Sequence, residues 1–195
     1  MTGKLFIVSA PSGAGKTCLV NDVIERIRIY YPIDRVITYT TKSPRMGEKE
    51  GVDYYFICKE EFERRIDQGF FAEWSTAYGC YYGSPRSLID EVERGRVCIV
   101  IIDRVGAEKI VQNYRGAVLI WLYTKGLEVL RERLLRRNTE KGVHIETRLE
   151  CGEREIKKEI INPLYNYHIL NDDFEYALTK LEKIIRCELS RDRLL

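Results

Sequence analysis

The sequence predicts an α/β protein: a doubly wound parallel sheet with helices on both faces and a small antiparallel sheet inserted into it. Three observations carry this expectation. The apolar run Leu5–Val8 leads into Ser9-Ala10-Pro11-Ser12-Gly13-Ala14-Gly15-Lys16-Thr17 and then into a segment with helical apolar spacing, which is the strand, loop and helix order of a phosphate-binding loop. The unbroken apolar run Val97–Ile102 ends in Asp103, as a central parallel strand with a carboxylate at its tip would. The middle of the chain carries short aromatic strands joined by short turns, a pattern that enforces antiparallel pairing.

The elements follow in order. The first helix spans Thr17–Tyr30, with Leu19, Val20, Val23, Ile24 and Ile27 on one face, and Pro32 breaks the pattern. Val36–Thr40 reads as a short strand and Thr41–Glu48 as a polar loop with two cations. Asp53–Ile57 is another strand, Lys59–Asp67 a short amphipathic helix stopped near Gly69, and Phe70–Tyr78 an aromatic strand ending at Gly79. A helix over Pro85–Arg94 precedes the Val97–Ile102 strand, and a helix over Ala107–Asn113 precedes the strand Ala117–Leu122. Repeated strand and helix alternation implies a sheet that binds ligands at the carboxyl ends of its strands. Leu127–Arg137 is helical in spacing, 138–142 is a loop, and Ile145–Ile161 is a charge-crowded helix ended by Pro163. Tyr167–Asn171 is the last strand, Phe174–Leu189 the closing helix, and Ser190–Leu195 is expected to fray.

A chain of 195 residues suits one compact domain with a substantial core. Charged residues make up 32% and the net charge is +2, too small to point to a nucleic acid or a membrane as partner. Six cysteines show no C-x-x-C pairing and only two histidines accompany them, which argues against a zinc site and for reduced thiols. The opening residues lead straight into the first strand, and no apolar run approaches the roughly 18 residues of a membrane span. A soluble cytoplasmic protein is expected.

The loop Ala10, Pro11, Ser12, Gly13, Ala14, Gly15, Lys16, Thr17 can hold polyphosphate through inward backbone N–H groups and the positive helix N-terminus. Lys16 would reach the β/γ-phosphates, and Thr17 would ligate the Mg²⁺ that accompanies ATP. Ala10 stands where the general pattern has Gly. A second phosphate site is indicated by Lys42 and Arg45 with Tyr54 and Tyr82, since cations and phenolic donors suit a phosphate dianion. Glu73, an acid inside an aromatic strand, could accept the paired N1–H and amine donors of guanine, which adenine cannot present.

Thr40-Thr41-Lys42-Ser43-Pro44-Arg45-Met46-Gly47-Glu48, Gly51-Val52-Asp53-Tyr54, Glu73-Trp74, Tyr81-Tyr82-Gly83-Ser84 and Asn171-Asp172-Asp173 together resemble guanylate kinases, and the likeness runs from Lys4 to about Cys187. The resemblance implies a single domain with a core (1–36, 95–125 and 160–190), a GMP-binding region (37–94) and a helical lid (126–159). It implies that Arg45, Tyr54 and Tyr82 bind the GMP phosphate, that Thr38, Glu73 and Ser84 read guanine with Asp103 nearby, and that Arg133, Arg137 and Arg148 meet the transferring phosphates. ATP-dependent phosphorylation of GMP and dGMP, by a monomer or homodimer, is the activity so implied. The sequence departs from the family pattern at several positions. Lys42 replaces a usual Arg, Ile101 a usual Asp, Val105 a usual Gln and Asn138 a usual Gly. These bear on substrate affinity and rate rather than on fold. Two other readings stay open: a catalytically silent domain that holds a phosphorylated partner, and a kinase of another small phosphate ester. A GTPase switch lacks its Asn-Lys-x-Asp motif.

Overall fold

The computed structural model describes residues 3–136 and 142–191. Its main sheet has five parallel strands in the order β2-β7-β1-β8-β9, formed by β1 (Lys4–Ser9), β2 (Ile33–Arg35), β7 (Val97–Ile101), β8 (Val118–Tyr123) and β9 (Tyr167–Leu170). Strand β1 lies at the centre, so its side chains are covered on both faces. Phe6 and Val8 enter one core with Ile99, Ile120 and Ile169, while Leu5 and Ile7 enter the other with Val100 and Leu119. This two-sided burial is why β1, β7 and β8 read as continuous apolar runs rather than alternating ones.

Helices complete both layers. On the first face lie α1 (Lys16–Ile27), α5 (Leu127–Arg136), α6 (Gly142–Ile161) and α7 (Phe174–Arg191), which contribute Leu19, Val20, Val23, Leu130, Leu134, Ile145, Leu149, Leu178 and Leu181. On the second face, α3 (Ser87–Glu93) and α4 (Arg104–Asn113) contribute Leu88, Val92, Ala107 and Ile110. The far end of α6 is fixed by a buried ion pair between Arg104 and Glu159, whose remaining oxygens accept the Leu164 and Tyr165 N–H groups. Arg104 also donates to the Asn162 carbonyl at 2.6 Å, so both charges are satisfied where burial would otherwise be costly.

The second sheet, in the order β4-β3-β6-β5, comprises β3 (Tyr39–Thr40), β4 (Tyr55–Phe56), β5 (Phe71–Ala77) and β6 (Cys80–Pro85). It is mostly antiparallel. The β3–β4 pairing is parallel, because fourteen residues' worth of loop lets the chain return in the same direction instead of folding back in a tight turn. Helix α2 (Lys59–Asp67) closes this sheet through Phe62, which is fully buried and stacks on Phe71 at 4.4 Å and on Tyr81 at 5.0 Å.

Three elements differ from the sequence expectation. Of the strand expected over Val36–Thr40 only Tyr39–Thr40 forms, as β3, while β2, which was not expected, lies before it in the other sheet, just after Pro32 at an edge where the missing N–H costs no ladder bond; three residues separate β2 from β3. Strand β6 occupies residues to which the sequence pattern assigned no element, and takes in Pro85, read as the start of a helix; the turn before it is Tyr78-Gly79, with φ of 55° and 75°. A tyrosine in that conformation hides the hairpin signal that Asn-Gly would have given. Helix α4 starts at Arg104 rather than Ala107, since Asp103 is its N-cap and accepts from the Gly106 N–H at 2.8 Å.

The small sheet depends on one aromatic stack. Phe62→Ala is expected to lower the unfolding free energy by about 3 kcal/mol in urea titrations, and a loss below about 1 kcal/mol would show that the stack closes over the gap.

Candidate functional site

The phosphate loop lies at the carboxyl end of β1, where open α/β sheets bind ligands. Gly15 is the N-cap of α1 with φ 87°, and no side chain caps the helix. The first-turn N–H groups of α1 are thus available to an anion, with no acidic side chain in that turn to compete. A Cβ at Gly15 would sit 2.7 Å from Nδ2 of Asn171, so position 15 demands glycine for both conformation and space. Lys16 Nζ donates to the carbonyls of Ala10 at 2.6 Å and Pro11 at 3.3 Å, which folds it over its own loop. Thr17 is the second residue of α1. Ala10, Pro11 and Ala14 are buried, and Ser12, Gly13, Gly15, Lys16 and Thr17 are half-buried.

Asn171 fixes this loop from outside. It lies just past β9, is 2% exposed, and donates Nδ2–H to the Ala14 carbonyl at 2.7 Å. Its own carbonyl accepts from Arg133 Nη2 at 2.7 Å, which brings α5 to the loop. Arg148 of α6 donates Nη1–H to the Ser12 hydroxyl at 2.7 Å. Two of the three expected lid arginines therefore converge on the loop, and Arg137 lies outside the described residues. Arg131 instead pairs with Glu146 on the helix surface.

A second cluster gathers Lys42, Arg45, Tyr54 and Tyr82 around Glu48. Lys42 donates to Glu48, which also accepts the Arg45 N–H at 2.8 Å and lies 3.8 Å from the Arg45 guanidinium. Burial pushes the Glu48 carboxyl up, but the Arg45 N–H and the two cations outweigh it and hold it below the usual range. Burial lowers the Lys42 ammonium, with Glu48 opposing and Arg45 and Arg148 adding to the fall. Lys42 Nζ sits 4.7 Å above the Tyr54 ring, and Tyr54 meets Tyr82 edge-on at 6.1 Å. Both phenols are raised, chiefly by burial. They remain neutral donors at neutral pH. The Arg148 charge on α6 is felt at both Lys42 and Tyr82, lowering each.

The third cluster lies between the two sheets. Glu73 on β5 is 4% exposed and accepts from the Ser84 hydroxyl of β6 at 2.6 Å. Burial pushes its carboxyl up to about 7, Ser84 opposes this, and nearby Asp103 adds to it. Any Cβ at Gly106 would lie 2.5 Å from Glu73 Oε2, so glycine there is what lets α4 approach the carboxylate. Asp103 accepts from the Ser75 hydroxyl at 2.6 Å with its second oxygen, tying β5 to the main sheet. Buried Thr38 directly precedes β3, whose Tyr39 pairs with Gly83 beside Ser84.

Four participants were missed by sequence reasoning. Asn171 and Glu48 lay inside quoted motifs, but their partners are set by the fold, and Ser75 had no signal of its own. Glu155, read as part of a solvated helix face, is half-buried near Lys16 and Asp103; burial pushes its carboxyl up to about 7 while Lys16 opposes. Mg²⁺ suits this donor set, because it keeps several waters and takes few protein oxygens besides phosphate. Thr17, half-buried at the start of α1, offers a hydroxyl oxygen of that kind.

A phosphate loop on a parallel sheet, with arginines of α5 and α6 drawn to it and a separate cation and phenol cluster on the inserted sheet, defines a P-loop nucleotide phosphotransferase. Sequence comparison makes the assignment narrower. The family described as guanylate kinase matches residues 2–188. The chain is similar to the guanylate kinase of Protochlamydia amoebophila, at 40% identity over 97% of this chain and 93% of that one. It is also similar to that of Symbiobacterium thermophilum, at 38% identity over 97% of this chain and 87% of that one. A crystal structure of guanylate kinase from Anaplasma phagocytophilum superimposes with a TM-score of 0.77 at 31% identity, covering 96% of this chain and 86% of that one. The chain belongs to the guanylate kinase family.

The raised Glu73 carboxyl has a stability consequence whose sign is fixed. The folded state holds this proton up to about pH 7 while the unfolded chain releases it near the ordinary carboxyl value of 4.5, so stability falls as pH rises between these values. Glu73→Gln removes that dependence. Relative to the native chain it is expected to gain on the order of 2 kcal/mol between pH 4.5 and pH 8, read from urea midpoints at both pH values.

Proposed function

We propose that this protein transfers the γ-phosphoryl group of ATP to GMP or dGMP, giving ADP and the corresponding diphosphate. A bond forms between an acceptor phosphate oxygen and Pγ, the bond from Pγ to the bridging oxygen breaks, and ADP leaves with that electron pair. The acceptor phosphate is already anionic near neutral pH, so the protein supplies positioning and charge rather than a strong base. The observation that carries this reading is Arg148, which touches the phosphate loop through Ser12 and stacks on Tyr78 in the hairpin whose strand β6 carries Tyr82.

Residues Ala10 to Thr17 hold the ATP phosphates, with Lys16 on the transferring group. Arg45, Lys42, Tyr54 and Tyr82 hold the GMP phosphate, and Glu73, Ser84, Thr38 and Asp103 form the guanine site. Arg133 and Arg148 neutralise charge that builds as Pγ moves between oxygens. Mg²⁺ bound with ATP would neutralise β- and γ-oxygens beside Thr17. In this reading 37–94 is the acceptor-binding region, 126–159 the lid, and 1–36, 95–125 and 160–190 the core. The protein acts as a monomer or homodimer on free cytoplasmic nucleotides; no described helix is long and apolar enough to cross a membrane.

A coupled assay with ATP and Mg²⁺ across GMP, dGMP, AMP, CMP and UMP is expected to show turnover of the guanine nucleotides. Lys16→Ala or Arg45→Ala is expected to lower it at least a thousandfold, with the fold retained by circular dichroism. Preference for AMP would remove Glu73 from its role, and full activity in both variants would sink the kinase reading.

A pH effect on affinity follows from the same carboxyl. Guanine presents donors, so it binds the ionised form of Glu73, and binding below about pH 7 requires a proton to leave. The dissociation constant for GMP is expected to rise as pH falls below 7, approaching tenfold per unit, in calorimetric titrations at pH 5.5 to 8. A flat profile would show that guanine accepts the neutral acid equally well.

A further inference from the structure

One residue that touches the site is unexplained by nucleotide binding. Tyr78 is the first turn residue of the β5–β6 hairpin and the only non-glycine with positive φ among the described residues, at 55°. Side chains avoid this conformation, and Asn, Asp or Gly would normally stand there. The tyrosine is instead turned inward: its ring lies 4.4 Å from the guanidinium carbon of Arg148, whose Nη1 holds the Ser12 hydroxyl at 2.7 Å. Tyr78 is 37% exposed, yet the buried share is enough to push its phenol up to about 12, with Arg148 and Ser12 opposing that rise.

We propose that Tyr78 is a positioning residue that holds Arg148 over the phosphate loop, so that the hairpin of the small sheet, the lid helix and the donor site are joined through one stacked guanidinium. The chemistry is direct. An arginine side chain has several rotatable bonds, and each lost on reaching the transition state slows transfer. A ring face restricts the guanidinium to one plane, favours the cation, and leaves the in-plane N–H donors aimed at Ser12 and at phosphate oxygens. The hairpin that carries Tyr78 is built from the strands that also carry Glu73, Tyr82 and Ser84. Seating of the acceptor on those strands therefore also sets the arginine that serves the donor.

Given the reading of Arg148 as a phosphate-facing cation, Tyr78→Asn separates catalysis from stability. Asparagine tolerates positive φ, so the backbone is relieved while the ring is lost. The expected result is kcat lower by about five- to tenfold, the size of a partly desolvated cation–π contact, with KM for GMP and ATP within twofold and a thermal midpoint no lower than that of the native chain. Tyr78→Phe keeps the ring and is expected within twofold of native kcat. On an Arg148→Ala background, Tyr78→Asn should cause no further fall, because the residue acts through that arginine. Native kcat in Tyr78→Asn, an equal fall in Tyr78→Phe, or an undiminished effect without Arg148 would each overturn the proposal. Absence of GMP turnover in the native chain would instead overturn the kinase reading, and this one with it.

Discussion

One hydrogen bond sets the geometry on which the site depends: the buried Asn171 amide holds the Ala14 carbonyl at 2.7 Å, joining residues 157 apart. The phosphate loop leaves the centre of the sheet after β1, and without an external tie its glycines would give it several conformations. Asn171 removes that freedom from the β9 side. The same residue demands glycine at position 15, where a Cβ would collide with its amide, and its carbonyl draws Arg133 inward. A loop held this way presents its N–H groups without reorganising when phosphate arrives, and electrostatic catalysis depends on that preorganisation.

The acids around the site make the complementary point. Glu73 and Glu155 are both held protonated up to about pH 7 by burial, and both feel Asp103. Asp103 draws its donors from two elements, the Gly106 N–H of α4 and the Ser75 hydroxyl of β5, whereas both hydrogen bonds to Glu73 come from Ser84.

The phosphate loop, the three central strands and the long helices were legible because each rests on local pattern: buried parallel strands are continuous apolar runs, and packed helices show their stripe. The division between β2 and β3 was not, because Ile33–Arg35 is too short to show a period and Pro32 argues against it. Lys42, Arg45, Tyr54, Tyr82 and Glu73 could be named from side-chain chemistry, yet Glu48, which assembles the first two, was given no role of its own within the motif that contains it. The motif that contains Asn171 did not tell what its amide holds, since its partner lies on the first loop of the chain. Residues that bind ligand announce themselves by chemical type; residues that position them are defined by long-range contacts that only the folded chain supplies.

Lys42 illustrates how such contacts change the meaning of a substitution. Guanylate kinases usually carry arginine here, and lysine gives up the two-pronged geometry that suits a phosphate. In this fold the ammonium is held by Glu48 over the faces of Tyr54, at 4.7 Å, and Phe56, at 5.4 Å, an environment suited to a compact cation. Glu48 also fixes the Arg45 backbone, so one carboxylate gathers both cations before any ligand arrives. Directional recognition then falls to Arg45 and the two phenols, while Lys42 supplies charge. The substitution shifts a task between neighbours that the Glu48 carboxylate already holds together, which is why the cluster keeps the character of a phosphate site without its usual fork.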